Sequence, residues 1–166
     1  MGIFDNNDQR TMIKIFKHLS GEEERHLIEH DGLTHYRPDA VIIHEGDAHN
    51  AIYVIASGGV RVEKESSGFQ LELSRLGPGE IFGEMSFVEG LEASASVLAD
   101  GELAAYRIDG EYINSLLKTN PGLFGRFYKS LVEIVSRRLR ETSLMAVTPH
   151  WEPRDAPQLK SASEAI

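Results

Sequence analysis

Between Leu33 and Ile108 the chain is cut at short, regular intervals by residues that turn the backbone. They are Pro38-Asp39, Gly46-Asp47, Gly58-Gly59, Ser66 to Gly68, Gly77-Pro78-Gly79 and Asp100-Gly101. The runs between them are β-prone: Ala40 to His44, Ala51 to Ser57, Val60 to Lys64, Phe69 to Leu76, Ser94 to Ala99 and Leu103 to Ile108. Strands this short, at this spacing, predict a sandwich or barrel. Tyr53-Val54-Ile55, followed by Gly58-Gly59 and Val60-Arg61-Val62, predicts a hairpin.

Helical patterns flank this region. Residues 8 to 30 read as helical, with Ile13, Phe16 and Leu19 at helical spacing. Ser20 with Glu23 three residues on makes a capping box for a second short helix over Gly21 to His30. After Ile108, Asp109 is a good N-cap for a helix over Glu111 to Lys118. Asn120-Pro121 starts another, with Pro121 at the first helical position. That helix runs to about Met145, with an apolar stripe of Phe124, Phe127, Leu131, Ile134, Val135 and Leu139. The polar stretch Thr148 to Ile166 carries Pro149, Pro153 and Pro157 and reads as a flexible or peripheral tail.

Length and charge narrow the function classes. At 166 residues there is material for one domain with a real core. A net charge of −9 makes a poor sequence-independent binder of nucleic acid. Lys118 to Glu141 runs against that trend, with six bases and two acids. Such a basic helix is expected to dock on its own acidic body. Without cysteine there are no disulfides, thiol catalysis or zinc–thiolate sites. No secretory h-region opens the chain, and no apolar stretch approaches the 18 residues of a membrane span, so the expected compartment is the cytoplasm.

Inside the β region, Phe82-Gly83-Glu84-Met85-Ser86 is followed by Ser94-Ala95-Ser96-Val97. This resembles the phosphate-binding cassette of the cyclic nucleotide-binding domain family, which includes the catabolite activator protein and the regulatory subunits of protein kinase A. The resemblance covers roughly residues 15 to 145, with glycine landmarks at Gly46, Gly58 or Gly59, Gly77 and Gly79. It implies an α+β, mainly β fold: a β-roll, or jelly roll, with short N-terminal helices and a C-terminal short helix plus long helix. The implied layout is N-terminal helices packed on the roll over 1–30, the roll over 31–108 with its cassette at 82–97, C-terminal helices over 109–146 and the tail over 147–166.

The chemistry of such a cassette follows from its residue types. Glycine before a short helical turn lets backbone approach a ligand closely, and free N–H groups at that turn attract an anion. The resemblance implies that Glu84 receives the ribose 2′-hydroxyl while the backbone of Gly83, Met85 and Ser86 lines the pocket. Ser94 and Ala95 would offer N–H groups, and Ser94 a hydroxyl, to the cyclic phosphate. Arg137-Arg138-Leu139 with Thr142-Ser143 resembles the long helix of the catabolite activator protein, where a matching Thr-Ser pair contacts adenine. That makes Arg138, Thr142 and Ser143 candidate ligand contacts, with Ser143 acting from a partner subunit.

One position departs. Ala93 stands where the family usually has an arginine that pairs with the phosphate oxygens, which is the strongest contact such a pocket can make. Ala93 therefore predicts weak or altered cyclic nucleotide binding, or a neutral ligand such as a nucleoside. Arg61 and Arg75, on or near strands, are the candidate substitutes. His26 and His30, four apart with Glu22 before them, are expected to be surface residues, and no metal site or cofactor is expected. His44-Glu45-Gly46 lacks the His-x-His cluster of a cupin enzyme, and no Gly-x-Ser-x-Gly elbow, Walker loop or dinucleotide fingerprint is present.

The chain is therefore expected to be a stand-alone regulatory, ligand-sensing domain and not an enzyme. It is expected to lack a DNA-binding module and to form a homodimer through the 120–145 helix. The alternatives are a non-binding interaction or scaffold protein on the same fold and, far behind, a cupin-like metal enzyme.

Overall fold

The turn residues part eight strands, which assemble into two antiparallel sheets in a computed structural model that describes residues 14–147. The strands are β1 (Leu33–Tyr36), β2 (Val41–Ile43), β3 (Ala51–Ser57), β4 (Val60–Ser66), β5 (Phe69–Leu76), β6 (Ile81–Phe82), β7 (Ser96–Ala99) and β8 (Leu103–Asp109). The order is β1-β8-β3-β6 in one sheet and β2-β7-β4-β5 in the other. This is the jelly-roll arrangement that the resemblance implied. Ala51, Tyr53, Ile55, Phe82 and Ala105 from one sheet share a core with Ile43, Val60, Leu76, Val97 and Ala99 from the other. Along β7 alternate residues bury one face, whereas β3 is buried on both faces over Ala51 to Ile55.

The hairpin expected across Gly58-Gly59 is not formed. β3 pairs with β6 and β8, while β4 pairs with β5 and β7, so the two glycines carry the chain from one sheet to the other. Gly58 has φ +76, and a Cβ there would collide with the carbonyl of Glu102, so this corner requires glycine. The true hairpin joins β4 to β5 through Ser67 and Gly68, both at positive φ, the backbone that a tight hairpin turn demands.

The helices are α1 (Gly21–Ile28), α2 (Glu84–Glu89), α3 (Gly110–Thr119) and α4 (Pro121–Val147). Ser20 and Glu23 form the predicted capping box on α1. Asp109 caps α3 through the N–H groups of Glu111 and Tyr112, and Asn120 Oδ1 accepts from Leu123 N at the start of α4. The helix expected over residues 8 to 20 is not seen where the structure describes it, because residues 14–20 form turns and bends. The buried carboxylate of Glu24 takes the N–H groups of Ile15 and Phe16 at 2.7 Å each, so these amides are bonded outside a helical ladder. Residues 8–13 and the expected tail at 148–166 lie outside the described residues.

The chain divides into two units at Glu133/Ile134. Within the first, the start of α4 is tied to the N-terminal segment. Arg126 grips both oxygens of Glu23 at 2.6 and 2.7 Å, and this guanidinium lowers the Glu23 carboxyl to about 2. His18 N donates to Ser130 Oγ at 3.0 Å, and His18 Nε2 lies 2.7 Å from Glu133. Arg126 is thus one base of the basic helix that docks on an acid of its own body. The apolar stripe splits: Phe127 and Leu131 are buried, whereas Phe124, Val135 and Leu139 are exposed together with Val132.

Candidate ligand-binding site

The cassette begins where β6 ends. Gly83 takes φ +81 and ψ −3 and is the N-cap of the six-residue α2, with no side-chain hydrogen bond at the cap. Its place is tight: a Cβ would sit 2.6 Å from the Ala51 carbonyl oxygen and 3.0 Å from His49 Nε2. His49 forms a wall there. Its ring stacks on Tyr53, which stacks on Phe82 with centroids 4.7 Å apart, and Nε2 lies 3.0 Å from the Ala51 oxygen. Burial holds the imidazole below its usual titration range and pushes the Tyr53 phenol up. Gly83→Ala is expected to destabilise the fold by about 2 kcal/mol, combining left-handed backbone strain with the contact on Ala51. A urea midpoint equal to wild type would contradict this.

Glu84, Ser86 and Phe87 of α2 are buried, Glu84 at 4% exposure, while Met85 is exposed. Gly90 ends the helix in the left-handed region and donates to the Ser86 carbonyl at 2.9 Å. Between Gly90 and Asn114 of α3 lies a cleft of about 500 Å³ that also takes in Asn50 and Leu91, so α2 and α3 are not packed tightly together at this end. Phe87 reaches the start of α4 instead. It stands edge-on to Phe127, which also packs on Phe16 of the N-terminal segment. The cassette helix, the N-terminal segment and α4 therefore meet at one aromatic ring.

Residues 93 to 95 complete the cassette. Ala93 is clamped to the turn after β2: its N–H donates to the Asp47 carbonyl at 2.9 Å, and its carbonyl accepts from Gly46 N at 2.8 Å. Ala93 and Ala95 are buried and Ser94 is exposed. Neither candidate arginine reaches this segment. Arg61 bonds Asp39 at 2.7 Å and Glu63 at 2.6 Å, and Arg75 bonds both oxygens of Glu72 together with Asp100. Lys64, which the sequence reading passed over, does reach it: Nζ donates to the Ser94 carbonyl at 2.9 Å.

Gly83, Glu84, Met85, Ser86, Ala93, Ser94 and Ala95 thus share one stretch of the first unit. Arg138, Thr142 and Ser143 stand on α4 in the second unit. There the Thr142 and Ser143 hydroxyls donate to the carbonyls of Arg138 and Leu139 at 3.0 and 2.9 Å. A hydroxyl bonded this way keeps acceptor capacity. His30, weighed in the sequence as part of a metal face, stacks on Tyr112 and has Nδ1 2.8 Å from Asp31. Among the described residues no group of three His, Asp or Glu could hold a metal ion, and no helix is long and apolar enough to cross a membrane.

Comparison with known proteins places this geometry. The profile of the cyclic nucleotide-binding domain matches residues 33–120. The chain is 33% identical over 131 residues to the cyclic AMP receptor protein of Thermus thermophilus, covering 78% of this chain and 59% of that protein. It is 31% identical over 121 residues to cyclic GMP-binding protein C of Dictyostelium discoideum, covering 67% of this chain and 5% of that protein. The crystal structure of a cyclic nucleotide-binding domain from Methylobacillus flagellatus superposes with a TM-score of 0.72 at 25% identity, covering 86% of this chain and 78% of that one. The chain therefore spans less than two thirds of the length of both of these curated relatives.

Proposed function

We propose, given that this chain belongs to the cyclic nucleotide-binding domain family, that it is a ligand-sensing regulatory domain whose pocket binds cyclic nucleotides weakly or favours a less charged ligand. The observation that carries this reading is a methyl group at position 93. Ala93 is fixed by two backbone hydrogen bonds to Gly46 and Asp47, and neither Arg61 nor Arg75 turns toward it. A phosphate brought there would lack the two-pronged partner that makes such sites strong.

The remaining roles follow the cassette. Glu84 would accept the ribose hydroxyl, and backbone at Gly83, Met85 and Ser86 would frame the sugar. Ser94 and Ala95 would face the phosphate. Phe87 against Phe127 supports a route for the signal, since a shift of α2 presses directly on α4. A ligand drives that shift only through different affinity for the two states. The exposed Val132, Val135 and Leu139 stand three and four residues apart in turn, the spacing by which two helices pair along a seam, which supports a homodimer through α4. The chain acts here as a binder, and no catalytic step is assigned to it.

The test is thermal melting of the purified protein with cAMP, cGMP, adenosine and guanosine. Ligand at about 100 times its dissociation constant adds about 2.7 kcal/mol to the native state, so at least one member is expected to raise the melting temperature. No shift with any of the four at millimolar concentration would overturn the sensing role and favour a scaffold on the same fold.

A further inference from the structure

Lys64 occupies a position that the fold does not explain. Along β4 alternate residues share a face, and Val60 and Val62 turn theirs toward the common core. The pairing of Val62 with Val97 and Glu63 with Ser96, continued by one residue, sets Lys64 opposite Ala95 on that same core-facing side. The alternation of Val60 and Val62 thus ends in an ammonium that reaches the cassette at Ser94. Nζ is 2.9 Å from the Ser94 carbonyl oxygen and 3.6 Å from Glu45 Oε1, and the side chain is 47% exposed. The other Glu45 oxygen accepts from Glu65 N, so the carboxylate is shared. Arg61 and Arg75, by contrast, each bond two carboxylates at short range.

We propose that Lys64 is the anion-contacting cation of this pocket, its ammonium leaving the Ser94 carbonyl for a phosphate oxygen of the ligand. The inference rests on the ligand-sensing reading and deepens it, because it names the residue that separates a phosphorylated ligand from a neutral nucleoside. An ammonium is a point charge on a flexible four-carbon stem and gives one contact where a guanidinium gives two. Glu45 offsets part of the charge. Lys64 therefore provides preference for an anion without high affinity.

The test is calorimetric titration of wild type, Lys64→Met and Lys64→Arg with cAMP and with adenosine. Lys64→Met is expected to weaken cAMP binding about 10-fold while leaving adenosine unchanged, and Lys64→Arg to restore or exceed wild-type cAMP affinity. A folded Lys64→Met protein that binds cAMP as wild type does, or that loses cAMP and adenosine equally, overturns the proposal. If wild type binds neither compound, the sensing reading fails, and the lysine is then judged by amide NMR with inorganic phosphate. Shifts at Ser94 and Ala95 that vanish in Lys64→Met support the role, and their absence in wild type refutes it.

Discussion

Ala93→Arg is expected to raise the affinity of this chain for cAMP and cGMP by about two to four decades. The magnitude comes from the loss of about 3–5 kcal/mol when one partner of a buried ion pair is truncated, read in reverse. The backbone at 93 is held on both sides by Gly46 and Asp47 and leads directly into Ser94 and Ala95, so an arginine there starts beside both. A guanidinium starting there would give the fork that Lys64, reaching over from β4, does not. Binding isotherms of the folded variant against wild type measure the gain. A variant with a native circular dichroism spectrum and unchanged affinity would show that the pocket departs from the family at more than position 93.

Phe127→Ala is expected to destabilise the protein by about 3–5 kcal/mol, the range for deleting a fully buried aromatic ring. Phe127 is 1% exposed, 5.3 Å from the ring of Phe16 and 6.2 Å from that of Phe87. Its removal opens a cavity where the N-terminal segment, the cassette helix and α4 join. Arg126 and Ser130 bond to the N-terminal segment from the same stretch of α4, so they limit how far the cavity can collapse. Phe124→Ala on the same helix is the control, since Phe124 is 52% exposed and its loss should cost well under about 1 kcal/mol. Urea unfolding of both variants separates the two outcomes, and equal losses would contradict this account of the core.

Much of this was legible in the sequence because local chemistry announced it. Ser20 with Glu23, Asp109, and Asn120 before Pro121 are caps whose partners lie within three residues, and all three form. The strand runs could be read because turn residues bracket them. β1 and the two-residue β6 were not set apart, since neither has an apolar alternation of its own and each is held by the strand it pairs with. Residues 14–20 misled because Phe16 and Leu19 stand three apart, as on a helix, and are buried, while Glu24, eight or nine residues on, takes the N–H groups of Ile15 and Phe16. Gly58-Gly59 misled in the same way: a two-glycine turn fits a hairpin, and only the competing partners of β3 and β4 reveal a corner between sheets.

At the candidate site, Gly83-Glu84 and the missing arginine were readable from residue order. The company kept by Arg61 and Arg75 was only partly so: Glu63 and Glu72 stand two and three residues away on the same strands, whereas Asp39 and Asp100 are brought to them only by the fold. Lys64 carried one overlooked signal. It follows Val60 and Val62 at every second position, where alternation asks for another apolar side chain. Its link to Ser94, thirty residues away, exists only once β4 lies beside β7.

The most direct measurement is calorimetric titration of the wild-type protein with cAMP and with cGMP. A pocket with Ala93 clamped in place and a single lysine for its anion should give dissociation constants in the high-micromolar range. Sub-micromolar binding of either nucleotide would contradict the account.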